Sequence, residues 1–552
     1  MDTSANALIQ LHSELRNSAS SMMSLWDECG RMCLTRKVSS LVTAQAKGVT
    51  TDNYRPETRL LNSVAVEANE ILAAGCMSWI MPSEGRWFVW KPSPQQEGND
   101  AVEEWLQHCT EVAQTILFSS NFYSRTHEVL QDRSTYGTAA LWAEAGTRNP
   151  LNFRAWDVGT FVVSENEEGY CDMVFRSIER TARQAKAEFE TLPPVVQTHL
   201  TTNKLEEKTR YLQCVFPRSI TEQSAEKGAK GMPFASLYIH EESKTVVKES
   251  GFEEIPAFVT RYLKWSESSA YGVSPAMRAL AEIRGVNYLE LLMATLAEVT
   301  VNPRIILPQG FQGVPDLRAG GITFGGATQD MFPKEWGTSG RFDIGVNLLE
   351  RKEKAVNEAF HRSLFEMFNS RTGDLNIPHV RALEAEKLAR FSPAFTALTS
   401  EFINPVVERV FMLLFRAGLL PPAPREAYVL DALGRSTILF PKCVQTNRMS
   451  LAMQQAKKQG INELLGMLGP LAAQGVPLLD NFDFDRVTRD LSRGEGLPAD
   501  YLSNEDTVKQ LRDGRAQAAQ AAEQKQMMME AVKSKPLVDA AAPMIKERLG
   551  AQ

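Results

Sequence analysis

The chain has no GxxxxGK[ST] phosphate loop, no HExxH and no GxSxG, and its seven histidines stand singly. The glycines of GGITFGG come without the lysine that a phosphate cradle needs, so an intrinsic ATPase is not expected. No apolar run approaches the ~20 residues that cross a bilayer. The N-terminus, MDTSANALIQLHSELRNSAS, lacks the basic and apolar regions of a signal peptide. Cysteine is sparse: seven residues, odd in number and scattered, exclude the disulfide framework of a small secreted domain and point to a reducing cytosol. Basic excess is missing too. A formal charge of −7 and a pI near 5.7 exclude a protein that grips nucleic acid over its whole surface, so any DNA contact is local or weak.

What is present is enough chain for several cores: 552 residues, 43% of them apolar, or about three or four domains. Over 58–79, Leu61, Val64, Ala68, Ile71, Gly75 and Trp79 recur at helical spacing. Small residues on that helix (Ala65, Ala73, Ala74, Ser78) invite a close neighbour. Helices follow at 101–117 and 121–136, and then β-branched and aromatic runs between turn residues read as antiparallel strands, interrupted by a helix at 181–191. The N-terminal half is therefore α+β.

From Ser274 the pattern is helical again, with Ser274 as cap and Pro275 at the first helical position. Met277, Leu280, Ile283, Leu289, Leu292, Leu296 and Val299 mark one face. A Gly- and Pro-rich module at 303–345 bears a strand or two, and a helix follows at 349–368 with a charged start. After the polar loop SRTGDLNIPH comes the longest apolar periodicity: Leu388, Phe391, Phe395, Leu398, Phe402, Val406, Val410 and Leu413. Pro393 and Pro405 should kink this helix. The C-terminal region reads as mostly helical, and Ser503 and Asp506 are spaced like a capping box before an Ala-, Gln- and Met-rich stretch.

Candidate chemistry is thin. Cys29 and Cys33 stand one helical turn apart, but zinc wants about four ligands and no nearby Cys or His completes the set, so buried thiols are expected. The acidic run DNFDFDRVTRD at 480–490 offers carboxylates for Mg²⁺, as a nuclease would need. A solvated loop before a helix is the preferred reading there. Among the histidines only His379, in the polar loop, is singled out. Neither a metal nor a cofactor is expected, and the chain does not read as an enzyme. The stretch WIMPSEGRWFVW gathers Trp79, Arg86, Trp87 and Trp90 without converging polar groups, so it reads as a structural clamp rather than a pocket. Trp87 and Val89 point to one side of a strand and Phe88 and Trp90 to the other, with Arg86 expected on an indole face.

Four stretches in order carry a resemblance. They are LNSVAVEANEILAAGCMSWIMPSEGRWFVW, FSSNFYSRTHEVLQDRSTYGTAALW, GFEEIPAFVTRYLKWSESSAYGVSPAMRALAEIRGVNYLE and RALEAEKLARFSPAFTALTSEFINPVVERVFMLLFRAGLLP. Over 55–422, and more weakly to 526, the chain resembles the head-to-tail connecting, or portal, proteins of short-tailed bacteriophages. The resemblance implies a portal-protein fold: a mixed α/β wing, paired stem helices, a small α/β clip and a helical crown or barrel. On this chain it implies wing at 1–271, first stem helix at 272–301, clip at 302–345, second stem helix at 346–369 and channel loop at 370–380. The kinked helix at 381–422 would rejoin the wing, and 423–552 would end it and form the crown. Many relatives carry a Thr-rich motif after the channel loop, where this chain has NIPHVRALEAEK.

The same resemblance implies a dodecameric ring at the capsid vertex of the virion, assembled in the host cytoplasm. Double-stranded DNA would pass through it, with the terminase large subunit, tail adaptor or nozzle proteins, the major capsid protein and internal core or scaffold proteins as partners. No membrane partner is implied. Arg351, Lys352, Lys354 and Arg362 on the second stem helix, and Arg371, Asp374, Asn376 and His379 in the loop, are the candidate DNA-facing residues. Between Glu350 and Glu366 the four basic residues meet four glutamates, so a channel of mixed or negative charge is expected. A solvated helix face predicts the same balance. The competing readings are a capsid scaffold or adaptor without a channel, and a metal-dependent nuclease.

Overall fold

The computed structural model describes residues 4–35, 60–96, 99–146, 148–219, 228–301, 304–307, 309, 316, 334–336, 342–366, 377–430, 436–447, 449–450 and, with gaps, 508–525. The chain forms two compact units, Met1–Met453 and Gln454–Gln552. In the second unit the described residues include a helical run at 508–515. The 480–490 acidic run and the Ser503/Asp506 pair lie outside the described residues.

The first unit is mixed α+β. It opens with α1 (Ala5–Cys33), whose first turn is capped by Ser4, and α2 (Val64–Ile80). Strand β1 (Phe88–Lys91) follows, then α3 (Asp100–Ser119) and α4 (Phe122–Tyr136). Helix α4 ends at Gly137, whose φ of 77° is left-handed. A Cβ there would lie 2.2 Å from the Gly272 carbonyl oxygen, so only glycine lets the chain turn directly into β2 (Thr138–Ala145).

Strand β2 is the centre of a three-stranded antiparallel sheet, between β3 (Leu151–Trp156) and β9 (Ala257–Arg261). Its alternation serves two cores: Ala139, Leu141 and Ala143 face the helical core, while Ala140 and Trp142 face a second one with Trp26 and Trp156. Strands β4 (Phe161–Glu165), β5 (Cys171–Thr181), β6 (Lys208–Pro217), β7 (Phe234–His240) and β8 (Thr245–Phe252) make a five-stranded antiparallel meander in chain order. The expected helix at 181–191 is the shorter α5 (Ala182–Glu188), and a further helix that was not expected, α6 (Pro194–Thr201), follows it. Thr181 and Gln184 form a reciprocal capping box at the first.

Ser274 caps the next turn through Met277 N at 2.9 Å, and α7 (Leu280–Val301) follows. In the Gly- and Pro-rich module the described residues include two short strands, Arg304–Ile306 and Lys334–Trp336, paired antiparallel. Helix α8 (Phe342–Ala359) begins seven residues earlier than expected and stops at His361, which adopts a left-handed φ of 54° before α9 (Arg362–Glu366). Helix α10 (Ile377–Leu398) also starts early, with Pro378 in the first turn, where its missing N–H costs no helical bond.

The long apolar helix is not simply kinked at its prolines. Pro393 lies inside α10, and the interruption is a π turn, Thr399–Ile403, before α11 (Asn404–Arg416). Asn404 N–H reaches back five residues to Thr399 O, and Pro405, which has no N–H to give, enters the first turn of α11. Leu388, Phe391, Phe395, Leu398, Phe402, Val406 and Val410 are all buried.

Beyond this helix the expectation of a mostly helical end is corrected for 428–445. Three short strands lie there, Tyr428–Leu430, Ser436–Ile438 and Lys442–Gln445. The last pairs antiparallel with β1, Phe88 opposite Gln445 and Trp90 opposite Cys443.

Candidate functional site

The clamp and the helix pair that the sequence singled out fall in different places. At the clamp, Trp87, Phe88 and Trp90 are buried and Trp79 is partly so. Trp87 lies parallel to Phe122 at 6.2 Å and donates its indole N–H to Tyr123 Oη at 3.2 Å. Trp90 meets Phe411 of α11 edge-on at 4.9 Å, and its backbone N–H goes to Thr110 Oγ1 at 3.1 Å. The segment thus ties α3 and α11 to the strand Lys442–Gln445, some 350 residues later in sequence. Arg86 reaches Glu111 on α3, not an indole; half exposed and charged, it finds a carboxylate at the surface.

Helices α7 and α8 run against each other with glycines at the crossing points. A Cβ on Gly345 would lie 2.3 Å from Met293 Sδ, and one on Gly285 would press on the Lys352 side chain. Lys352 crosses Gly285 to reach Glu282 at 2.7 Å. Helix α2 receives α9 in the same manner: Gly75 leaves room for the Phe365 ring, as the run of small residues predicted.

Where this pair joins the rest of the unit, Asn287 is buried and satisfied on both ends. Its Oδ1 accepts from Leu61 N at 3.0 Å and Asn62 N at 3.3 Å, and its Nδ2 donates to Ile283 O at 3.1 Å. Asn62 then caps α2 at Val64 N and donates to Glu353 of α8 at 2.7 Å. Three helices, α2, α7 and α8, meet on two asparagines. Nearby, Arg284 holds the Glu28 carboxyl below its usual range through a side-chain hydrogen bond. Asn287 was readable as a polar residue one turn from Ile283 on an apolar stripe, yet the apolar periodicity drew attention past it.

Past Asn287 the helix loses its cover. Tyr288 is 61% exposed and Leu291 50%, with Leu292, and Phe342 and Ile344 on α8, also exposed. The expected single buried face of α7 is therefore buried only through its first two turns. On α8 the exposed positions include Asp343, Glu350, Arg351, Lys354 and Glu358, two cations against three carboxylates.

Of the candidate DNA-facing residues, Arg351 and Lys354 share this exposed face, with no ion pair among the described residues. Lys352 does not, because it is committed to Glu282. Arg362 on α9 is drawn to Glu366 at 2.6 Å and Glu67 at 3.8 Å. Arg371, Asp374 and Asn376 lie outside the described residues, and His379 falls within α10 rather than in a loop, its side chain outside the description. His361, one of the histidines standing outside any motif, has a structural place. It occupies the break between α8 and α9, its ring edge-on to Phe391 at 5.5 Å, and burial, with Arg278 and Arg390 adding, lowers its pKa to about 4.

Among the described residues no group of three His, Cys, Asp or Glu side chains is placed to hold a metal ion. Cys29 and Cys33 are buried thiols, and burial pushes Cys29 up to about 12. No helix among the described residues is long and apolar enough to cross a membrane.

A family model described as "Bacteriophage head to tail connecting protein" matches residues 5–502. The chain is similar to the probable portal protein of Bordetella phage BPP-1, 24% identical over 541 residues, which covers 95% of this chain and 93% of that one. It is also similar to the portal protein of Salmonella phage epsilon15, 23% identical over 538 residues with the same coverage.

Proposed function

Because the chain belongs to the bacteriophage head to tail connecting protein family, we propose that it forms a closed dodecameric ring at one capsid vertex, a portal through which double-stranded DNA enters and later leaves. The observation that carries this reading is the uncovered apolar band on α7 and α8, Tyr288, Leu291, Leu292, Phe342 and Ile344. In water such a band calls for a partner. A head-to-tail interface repeated by rotation covers it in every subunit and closes the ring.

In this reading α7 and α8 are the paired stem helices. The elements up to 271 with α10 and α11 form the wing, 302–345 the clip, and the segment between α9 and α10 the channel loop. The exposed face of α8 borders the channel. DNA that must slide should not be gripped, since each neutralised phosphate adds affinity by releasing counterions. Arg351 and Lys354, set among Asp343, Glu350 and Glu358, give a face that touches phosphates without holding them. The terminase large subunit docks on the clip end during packaging, and tail adaptor and nozzle proteins replace it afterwards. Around the wing lie the major capsid protein and the internal core or scaffold proteins. The protein's place is the portal vertex of the virion, and its role is structural rather than catalytic.

Negative-stain images of the purified chain test this. Rings with a central hole are expected. Monomers or open filaments at high concentration would favour a scaffold or adaptor without a channel, and EDTA-sensitive DNA cleavage would favour a nuclease.

A further inference from the structure

Strands β5 to β8 carry a polar row straight across one face of the meander. Arg176 pairs with Gln213, Gln213 with Tyr238, and Tyr238 with Lys248. In the adjacent row Ser236 stands opposite Ser250. The other face of the same strands is apolar, with Phe175, Leu212, Cys214 and Ile239 packed with Leu8 of α1. Alternation of this kind leaves the polar face to water. Here Trp142 and Trp156 of the three-stranded sheet lie against it instead, and the two sheets border a half-open cavity of about 290 Å³.

Three polar atoms of the residues lining this cavity are buried and unpaired. Gln213 is 4% exposed. Ser236 Oγ, Trp156 Nε1 and Arg176 Nε are buried without a partner among the described residues. Native proteins rarely leave several donors orphaned together, so a cluster of them marks a place that something else completes. Charge says what. Arg154 is matched by Glu144 at 2.6 Å and Arg180 by Glu188 at 2.7 Å, whereas Arg176 and Lys248 form no ion pair among the described residues, Asp157 acting on Arg176 only at longer range. Burial lowers Arg176 to about 10, which still leaves it cationic at neutral pH.

Stacking is already satisfied. Trp156 has Trp142 on one side at a ring separation of 5.0 Å and the Arg176 guanidinium 4.6 Å from its ring, so no indole face is free for a planar ligand. Recognition must come from charge and hydrogen bonds. We infer that this cavity is an anion site for one oxyanion group, a carboxylate or a phosphate, held by Arg176, Trp156 Nε1, Gln213 and Ser236. Lys248, three strand spacings or about 14 Å along the row, adds attraction from the far end without touching the same oxygen. The site lies on the meander, away from the helices assigned to the channel, and stands whether or not that assignment does.

Isothermal titration of the full chain at low ionic strength, with sodium phosphate and separately with sodium acetate, tests it. Saturable binding near one site per chain is expected. Arg176→Gln, which keeps a hydrogen-bonding group without the charge, should weaken it about tenfold or more, and Ser236→Ala about fivefold. Arg183→Ala, which removes an exposed cation outside the cavity, should leave it unchanged. Binding of phosphate alone identifies a phosphoryl ligand, and binding of acetate alone a carboxylate. No saturation by either anion at a Kd below about 10 mM, or equal loss in Arg183→Ala, overturns the assignment. If Arg176→Gln fails to fold, an unchanged affinity in Ser236→Ala overturns it.

Discussion

Arg261, at the end of β9, is joined to Glu401, 140 residues later, by three hydrogen bonds: its backbone N–H at 2.7 Å, Nε at 3.0 Å and Nη2 at 2.6 Å. Glu401 sits in the π turn between α10 and α11, and Arg261 is buried there, also paired with Glu165. Beside it Arg133 donates to Arg261 O at 3.1 Å and to Ala394 O of α10 at 2.6 Å. Two buried arginines thus hold the long helix to the three-stranded sheet.

Removing Glu401 strands part of a buried cation. Glu401→Ala should destabilise the protein by about 3 kcal/mol, since breaking one side of a buried pair leaves an uncompensated charge. Thermal melting of the ring and of the dissociated chain would read it; unchanged melting would show that Glu165 alone suffices.

The clamp makes a contrasting pair. Trp90→Ala opens a hole against Phe411 and Phe88 and should cost about 4 kcal/mol. Soluble yield and ring formation should fall before any defect in DNA passage can be measured. Arg86→Ala, whose ion pair is half exposed, should stay within about 0.5 kcal/mol of wild type. Equal damage from both would contradict the division drawn here between core and rim.

His361 gives the stability a pH dependence of definite sign. Its folded pKa, about 4, lies below the ordinary 6.5, so the unfolded chain binds the extra proton between those values. Stability from this group is full above pH 6.5 and is lost as the pH falls toward 4, on the order of 3 kcal/mol. His12, lowered to about 4 chiefly by its own burial, adds in the same window. His361→Asn tolerates the left-handed backbone and should shrink the acid loss measured from melts at pH 7 and pH 4.5; an identical pH profile would count against the assignment.

On α8, Arg351→Ala with Lys354→Ala should leave rings and melting unchanged while altering the amount of DNA packaged. Lys352→Ala should do the reverse, loosening the helix pair by about 0.5–1 kcal/mol with little direct effect on DNA. Identical packaging in the wild type and the double variant would remove these two cations from the channel.

Much of this was legible in local sequence because the forces there are local. Ser274 and Pro275 started a helix, α3 and α4 fell within two residues of their expected bounds, and the small residues of α2 forecast a close neighbour. What was missed depends on distant partners. Nothing near Trp90 names Cys443 as its strand neighbour, and nothing near Lys352 says that Glu282 will claim it. Leu292 matched an apolar period, but periodicity cannot say whether the surface that covers it belongs to the same chain. His361 is of a residue type that accepts positive φ, but nothing beside it in sequence marks a break there, between the buried Phe360 and Leu364.

The π turn also settles a matter of angular phase. Leu398, Phe402, Val406, Val410 and Leu414 are all buried, although they recur strictly every fourth residue. On a regular helix each such step overshoots a turn by about 40°, so four steps would carry the row about 160° around the axis and out of the core. The surplus residue absorbed at Thr399–Ile403 takes back about 100°. The remaining drift, about 60°, fits within a single apolar face. A strict four-residue repeat can therefore run along one side of this helix because the wider turn resets it midway, at the same place where Glu401 reaches for the sheet.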